Sequence, residues 1–211
     1  MRTQIKETQA EMTPQQALAI LREGNARFQS NLKANRNLLE QVNTTSTGQY
    51  PFAVILSCID SRTSAELIFD QGLGDVFSVR IAGNVLNDDI LGSMEFACML
   101  AGSKLIVVMG HSACGAVKGA CAGAELGHLT GLLRKIAPSV EQAGGAGEVF
   151  SDEFVDTVAE HNVDHVIAEI RERSSVLEGL ITGGQVGVVG AMYSVETGQV
   201  RFHDLVCGTP D

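Results

Sequence analysis

The stretch FAVILSCIDSR, residues 52–62, decides the fold, because an unbroken apolar run is followed at once by polar and metal-binding side chains. Three further short apolar runs come later in the chain, at Val76 to Val79, Leu105 to Met109 and Val186 to Val189. Such runs are typical of strands that are buried on both faces of a parallel sheet. Segments of helical character separate the runs, so the sequence predicts an α/β fold.

The predicted sheet is mainly parallel, with about four parallel strands, an antiparallel edge strand and flanking helices. The run from Arg201 to Val206 follows a turn at residues 196–199 and supplies the antiparallel edge. Helices between the strands are predicted at Ala65 to Asp70, Asp89 to Leu100, Cys114 to Ala122, Leu129 to Ala143 and Ser151 to Arg173.

The N-terminal part of the chain has a different character from the rest. Thr13, Pro14 and Gln16 form a helix start, with a capping residue, a proline at the first helical position and a capping box. Residues 36–48 are rich in Asn, Thr and Ser without a sustained period, which predicts an extended arm or loop that lies over something else. We therefore expect an N-terminal helix and arm over residues 1–48 and a single α/β domain over residues 49–211.

Composition excludes several classes of protein. The chain has 211 residues, of which 45% are apolar, so it forms one globular domain and leaves no room for a large second one. Its formal net charge of −10 argues against a nucleic-acid partner. No apolar run has the length of a signal peptide or a membrane span. The five cysteines are odd in number and widely spaced, so we expect no disulfides and a soluble protein of a reducing compartment, the cytoplasm.

Two polar motifs directly follow predicted strands. Cys58, Asp60 and Arg62 alternate after the first strand, and His111 and Cys114 follow a later one. Ligands of open parallel sheets bind outside the carboxyl ends of strands, so these side chains are expected to converge. Each motif alone is weak evidence, since an isolated cysteine at a strand end is more often a packed core residue. Together they favour the Cys₂His ligand set of catalytic zinc.

The motifs resemble those of the β-class carbonic anhydrases. The resemblance is carried by CIDSR at residues 58–62, GLGDVF at 72–77, RIAGN at 80–84 and GHSACG at 110–115. It extends over residues 49–204, and the N-terminal helix is in keeping with it. These motifs are specific to that family when they occur together and in this order.

The resemblance implies a zinc enzyme that reversibly hydrates carbon dioxide to bicarbonate and a proton. The implied ligands of one zinc per subunit are Cys58, His111 and Cys114. Asp60 and Arg62 match the catalytic Asp–Arg pair of the family. Asp60 is also expected to reach the zinc as a fourth ligand in a closed form at lower pH, where it would leave Arg62.

The resemblance also implies a set of substrate-binding residues. Gln49 matches a glutamine of the plant-like subgroup that hydrogen-bonds substrate, and Ala82 stands where that subgroup often has a larger aliphatic residue. Ile55 occupies the position of a tryptophan that allosteric members use to bind bicarbonate, and the chain contains no tryptophan, so we expect the plant-like subgroup. The implied substrate-binding residues are Gln49, Phe77, Ala82, Gly83, Phe96 and Gly115.

Family members of this kind are homodimers or homotetramers, so the arm of residues 1–48 is expected to wrap a partner subunit. Two alternatives remain open at this stage. One is a carbonyl sulfide or carbon disulfide hydrolase on the same scaffold, against which Gln49 and Phe77 favour carbon dioxide. The other is a non-catalytic, zinc-stabilised binding or shell protein. The Asp60–Arg62 pair speaks against it, because a structural zinc site is closed and needs no such pair.

Other candidate residues are given structural roles. His161 and His165 have the i, i+4 spacing of a zinc pair, but Asn162 stands where a metalloprotease motif needs Glu, so a solvated helix face is predicted. Cys98 and Cys121 are expected to be packing residues. Cys207 receives no role.

Overall fold

A central sheet organises the chain, and the structure, a computed structural model, describes residues 3–145, 147 and 149–209. Within these residues five strands form one sheet, namely β1 Ala53–Ser57, β2 Val76–Arg80, β3 Leu105–His111, β4 Gly187–Tyr193 and β5 Val200–Phe202. Their spatial order is β2-β1-β3-β4-β5. The first four pair in parallel, and β5 is antiparallel to β4. The predicted fold class is confirmed, including the antiparallel edge.

Helices cover both faces of this sheet. The described α-helices are α1 Lys6–Glu11, α2 Pro14–Gln29, α3 Leu38–Thr45, α4 Ala65–Ile68, α5 Asp88–Glu95, α6 Gly115–Cys121, α7 Gly127–Leu133, α8 Ala137–Gln142, α9 Asp152–Arg173 and α10 Ser175–Thr182. A 3₁₀ turn, Ala82–Asn84, precedes α5, and a π-helical turn, Phe96–Leu100, follows it.

The buried strand β1 contributes to the apolar cores on both faces of the sheet. All five of its residues are buried, and successive side chains point to opposite faces. Val54 and Leu56 join the core covered by α5, α9 and α10. Ala53 and Ile55 join the core covered by α2 and α4. The continuous apolar run predicted a strand buried on both faces, and the structure confirms it.

The strand order creates a crevice beside the carboxyl end of β1. The chain leaves β1 for β2 on one side and then crosses to β3 on the other side. Neighbouring strands whose connections run in opposite directions leave a gap above their carboxyl ends, where α/β proteins bind ligands. Here that gap lies between the ends of β1 and β3.

The predicted start of α2 is confirmed in detail. The Gln16 amide nitrogen donates to Thr13 Oγ1 over 3.2 Å, and the Thr13 amide donates to Gln16 Oε1 over 2.8 Å. Pro14 occupies the first turn of the helix. These contacts satisfy donors that a helix start would otherwise leave unpaired.

The prediction of an extended arm or loop over residues 36–48 was wrong, because α3 lies there. Asn37 caps this helix by accepting from the Glu40 amide. Gln41 is buried, and its Oε1 accepts from the Leu73 amide over 3.2 Å. Tertiary contact therefore stabilises a helix whose Asn- and Thr-rich sequence has low intrinsic helix propensity.

Other helix predictions need smaller corrections. The single helix predicted at Leu129 to Ala143 is divided into α7 and α8, because Pro138 lies in the first turn of α8 and proline cannot continue a preceding helix. The helix predicted at Asp89 to Leu100 becomes π-helical at Phe96. Helices α1 and α10 were not predicted. No helix in the described part of the chain has both the length and the apolar character needed to cross a membrane.

Adding a methyl group at two helical glycines should change the free energy of unfolding in opposite directions. In α2, a Cβ at Gly24 would overlap the main-chain carbonyl of Phe69, which cannot move without shifting α4. In α10, a Cβ at Gly179 would meet no atom within 4 Å. We expect Gly24→Ala to lower the free energy of unfolding by about 1–3 kcal/mol. Gly179→Ala, the matched control, should raise it by about 0.5–1 kcal/mol. Urea unfolding of both variants tests the pair, and a Gly24→Ala variant as stable as the parent would contradict this packing.

Candidate metal centre

Three buried side chains meet at the crevice above β1 and β3. Cys58 follows β1, His111 is the last residue of β3, and Cys114 directly precedes α6. One ligand atom from each lies within 4.8 Å of the others, and no other group of three His, Cys, Asp or Glu side chains among the described residues is as close. The convergence expected from the two motifs is therefore observed.

The geometry of this group fits a zinc ion. Cys58 Sγ and Cys114 Sγ are 4.0 Å apart. Two thiolates bound tetrahedrally at the usual zinc–sulfur distance would be about 3.8 Å apart. His111 Nδ1 lies 2.9 Å from the Ser112 carbonyl oxygen, so it can donate there and leave the Nε2 lone pair for a metal. Nε2 is buried and has no hydrogen-bond partner among the described residues, as expected of an atom kept for a ligand.

The hydrogen bond between Cys58 and Cys114 shifts the pKa values of the two thiols in opposite directions. A hydrogen bond from Cys114 lowers the pKa of the Cys58 thiol below its ordinary value, against the opposing effect of burial. The same contact, together with burial, raises the pKa of the Cys114 thiol far above its ordinary value. The pair therefore shares one proton, and a divalent cation would displace it because metal ligands bind as thiolates.

Asp60 and Arg62 form a bidentate ion pair beside the three ligands. Arg62 Nε donates to Asp60 Oδ1 over 2.9 Å, and Arg62 Nη2 donates to Oδ2 over 2.7 Å. The Arg62 amide also donates to Oδ1 over 2.9 Å. The Arg62 guanidinium holds the pKa of the Asp60 carboxyl well below its usual range. An ionised and oriented carboxylate therefore stands at the mouth of the crevice.

Comparisons with known proteins decide the family. Residues 53–200 match the family model for carbonic anhydrase. Carbonic anhydrase 2 of Mycobacterium tuberculosis is 38% identical over 199 residues, which cover 92% of this chain and 94% of that protein. The crystal structure of the β-carbonic anhydrase CafA of Aspergillus fumigatus has a TM-score of 0.71 at 31% identity and covers 89% of each chain. The chain belongs to the β-carbonic anhydrase family.

The family expected from the sequence motifs is thus confirmed. As a β-carbonic anhydrase, the protein catalyses the reversible hydration of carbon dioxide to bicarbonate and a proton, with zinc as its cofactor. A second relative, the carbonic anhydrase of Mycolicibacterium smegmatis, is 36% identical over 195 residues and covers 90% of this chain and 93% of that protein. The match therefore extends over nearly the whole β-carbonic anhydrase chain.

The loop that carries Cys58 is held by two side chains that were not among the predicted site residues. Arg80 Nε donates to the Cys58 carbonyl over 3.0 Å, and Arg80 Nη2 donates to the Asp60 carbonyl over 2.6 Å. Thr63 Oγ1 also donates to the Cys58 carbonyl over 3.0 Å. Arg80 belongs to a stretch that carried the family resemblance, but its partner atoms are main-chain carbonyls and leave no spacing signal in the sequence.

Helix α9 fixes the loop of His111 and Cys114. Asp156 Oδ1 accepts from the Ala113 amide over 2.8 Å. Ala113 has a φ of 53°, a left-handed conformation that non-glycine residues rarely adopt, so a specific contact is needed to hold it. The Ala113 carbonyl in turn accepts from Arg62 Nη2 over 3.4 Å, which links this loop to the Asp60–Arg62 pair.

A third loop reaches the candidate metal-binding cluster of Cys58, His111 and Cys114 through Gly83. Its amide donates to Cys58 Sγ over 3.3 Å, and its carbonyl accepts from Asn162 Nδ2 over 2.9 Å. Ala82 lies beside it in the same 3₁₀ turn. Gly115, which follows Cys114, is the first residue of α6 and is exposed. These three predicted substrate-binding residues therefore neighbour the ligands, whereas Asn162 was not predicted to take part.

The remaining predicted substrate-binding residues lie elsewhere in this chain. Phe77 and Phe96 pack edge to face with ring centroids 6.2 Å apart, and they line a cavity of about 680 Å³ that contains none of the three ligands. Gln49 is exposed and precedes β1, whereas Cys58 follows it. A strand of five residues spans roughly 17 Å, so one chain does not bring Gln49 to its own Cys58.

The role given to Asp156 predicts a graded response to substitution. Asp156→Ala removes the acceptor of the Ala113 amide and should lower the free energy of unfolding of the zinc-free protein by about 1 kcal/mol. Asp156→Asn keeps an acceptor oxygen and should lower it less. Asp152→Ala is the matched control on the same helix, because that carboxylate is 85% exposed and its pair with Lys118 should contribute little. Equal losses from Asp156→Ala and Asp156→Asn in urea unfolding would contradict the role.

Proposed function

We propose that Cys58, His111 and Cys114 hold the zinc of this carbonic anhydrase, one ion per subunit. The observation that carries the proposal is the burial of these three side chains with their ligand atoms within 4.8 Å of one another. A set of three protein ligands leaves a fourth tetrahedral position for water or substrate, as in catalytic zinc sites. The neighbouring Asp60–Arg62 pair gives that open position a partner, which a structural site would not need.

Asp60 and Arg62 are proposed to direct the nucleophile. When bound, zinc lowers the pKa of a water ligand to about 7 and so supplies hydroxide at neutral pH. The Asp60 carboxylate can only accept hydrogen bonds while it is ionised, so it orients the attacking oxygen by accepting its hydrogen. Arg62 keeps Asp60 ionised and turned, through the two parallel hydrogen bonds of their pair.

The pairing of Asp60 with Arg62 also supports an open arrangement of the site. Both carboxylate oxygens of Asp60 accept hydrogen bonds from Arg62. Asp60 would have to give up this pair to become the fourth zinc ligand of the closed form. We propose that the closed form is a second state of the same loop and that Arg62 opposes it.

The substrate pocket is proposed to contain residues from two subunits. Ala82, Gly83 and Gly115 lie beside the ligands and form the part that belongs to the same chain. Gln49, Phe77 and Phe96 are proposed to reach the site of a partner subunit, where the two aromatic rings provide apolar walls for carbon dioxide. Gln49 would donate a hydrogen bond to the developing carboxylate, an oxyanion-type contact.

Exposed apolar side chains support a homodimer or a homotetramer. The patch formed by Phe96, Met99 and Leu100 continues the cavity that Phe77 lines, and each of its three side chains is more than half exposed. Contiguous apolar surface of this kind is typical of subunit contacts. Helix α3, within the arm of residues 1–48 proposed to wrap the partner, exposes Leu38, Leu39 and Val42.

A cytoplasmic location is proposed from the chemistry of the thiols. All five cysteines are free thiols in this structure. Cys58 Sγ lies 4.0 Å from Cys114 Sγ, so an oxidising compartment would favour a disulfide between them in place of two zinc ligands. Carbon dioxide and bicarbonate are the proposed small-molecule partners, and the net charge of −10 does not favour nucleic acid.

Zinc analysis combined with stopped-flow carbon dioxide hydration tests the proposed roles. Cys58→Ser should lose both zinc and activity. Asp60→Asn should keep zinc but lower the hydration rate by about 10- to 100-fold, because its amide orients the nucleophile poorly. Cys98→Ser is the control, since this buried thiol lies outside the ligand set and should keep one zinc. Wild-type protein that holds zinc without hydrating carbon dioxide, or that turns over carbonyl sulfide far faster, would overturn the proposal.

The subunit contact is tested by adding a charge to the apolar patch. Leu100 is 76% exposed in this chain, and Leu100→Glu should shift the molar mass measured by light scattering toward that of the monomer, because the carboxylate would be buried in the contact. Hydration activity should fall with it. Leu126→Glu changes a comparably exposed leucine at the start of α7 and should leave the molar mass unchanged. An unaltered oligomer in Leu100→Glu would contradict this contact.

A further inference from the structure

Asn162 is a buried polar residue that the proposed chemistry does not use. It lies in α9 with no exposed surface, among apolar neighbours that include Val158, Val163 and Val166. Its Nδ2 donates to the Gly83 carbonyl over 2.9 Å. Its Oδ1 is buried and has no hydrogen-bond partner among the described residues. A buried amide satisfied at one end costs stability relative to an apolar side chain, so packing alone does not explain it.

The partner of Asn162 is the residue that touches a metal ligand. Gly83 donates its amide hydrogen to Cys58 Sγ over 3.3 Å. It has a φ of 66°, and a Cβ there would lie 2.7 Å from Ile136 Cδ1, so the position requires glycine. Glycine is also the residue with the greatest backbone freedom. The hydrogen bond from Asn162 to the Gly83 carbonyl restrains the residue whose amide faces Cys58 Sγ.

The hydrogen bond on Cys58 Sγ has a defined effect on a bound metal. A thiolate that accepts an N–H bond donates less electron density to the metal, and its lone pairs are held in one orientation. Hydrogen bonds to ligand atoms therefore tune both the affinity for the metal and the charge that reaches it. Asn162 is linked to Cys58 Sγ by two hydrogen bonds through Gly83, although it lies 79 residues after Gly83 in the sequence.

We propose that Asn162 is a positioning residue of the metal centre: through Gly83 it maintains the N–H hydrogen bond on Cys58 Sγ, and so sets how strongly this thiolate binds and donates to zinc. The inference rests on the proposed function, in which Cys58 is a zinc ligand. It assigns to α9 a second contact with the site, besides that of Asp156 with Ala113.

Asn25 provides a matched comparison within the same chain. It is also a buried asparagine in a helix, with 3% of its surface exposed. Its Nδ2 donates to the Gly198 carbonyl over 2.9 Å, and its Oδ1 accepts from the Val200 amide over 2.9 Å. None of these partners contacts Cys58, His111 or Cys114. Substitution of Asn25 therefore removes buried amide hydrogen bonds without reaching the metal ligands.

The experiment compares Asn162→Leu with Asn25→Leu, because leucine has the same number and branching of side-chain heavy atoms as asparagine and removes its polar atoms. Zinc affinity is measured by competition with a chromophoric chelator, and the cobalt-substituted proteins are examined by absorption spectroscopy. We expect Asn162→Leu to bind zinc about 10- to 100-fold more weakly, because the loss of a fixed orientation at Cys58 Sγ outweighs its greater electron donation. Its thiolate-to-cobalt charge-transfer band should move to longer wavelength, because a thiolate without the N–H bond gives up electron density more easily. Asn25→Leu should match the wild type in both measurements.

The possible outcomes separate this inference from the proposed function. If Asn162→Leu folds and has wild-type zinc affinity and an unshifted cobalt band, Asn162 has only a structural role and the inference is wrong. If Asn25→Leu changes both readouts equally, the effect is general destabilisation and the inference is also wrong. If Asn162→Leu does not fold, Asn162→Ala is measured against Asn25→Ala by the same two readouts and the same criteria. Absence of zinc binding by the wild type would instead overturn the proposed function.

Discussion

The parallel pairing of β1 with β3 is the interaction on which the rest of the structure depends. Ser57 pairs with Met109 in this register, so Cys58, one residue beyond this pair, and His111, two residues beyond it, emerge at the same end of the two strands. A shift of one residue would turn the side chains of one strand to the other face of the sheet and separate the ligands. The apolar packing on both faces of β1 fixes the register, so the same burial that forms the core also assembles the metal centre.

Strand register alone does not set the orientation of the ligands, because each lies in or beside an irregular loop. Those loops are held by side chains that donate to or accept from main-chain atoms: Arg80 and Thr63 on the Cys58 loop, Asp156 on the Cys114 loop and Asn162 on Gly83. Ala113, a non-glycine residue with a left-handed backbone, keeps that conformation only when its surroundings determine it. The long helix α9 supplies two of these contacts and packs on β3 and β4, so it couples the core to the site.

Sequence patterns predicted those structural features that are determined by burial or by the chemistry of neighbouring residues. The strands followed from apolar runs, the start of α2 followed from its capping box, and the convergence of Cys58, His111 and Cys114 followed from their positions at strand ends. Helix α3 did not, because its Asn- and Thr-rich sequence has low helix propensity and the buried contact of Gln41 with Leu73 decides its conformation. Asn162 was noticed only for failing to complete a metalloprotease motif. Its contact is with a carbonyl, which every residue possesses, so no spacing in the sequence could identify Gly83 as its partner.

The two sets of residues implied for catalysis lie at opposite ends of β1 in a single chain. The three ligands, with Asp60 and Arg62, follow the strand, whereas Gln49 precedes it and Phe77 lies in the first half of the neighbouring β2. The ligand set is buried, so its affinity for zinc depends on contacts within the chain. The aromatic pair has one ring more than half exposed beside an apolar patch, so its surroundings are incomplete until another surface covers it. In the proposed function, metal binding and substrate binding therefore have different requirements: a single folded chain can provide the first, whereas the second depends on what covers Phe77 and Phe96. A variant that disrupts the apolar patch should for this reason separate the two properties and keep its zinc while it loses its activity.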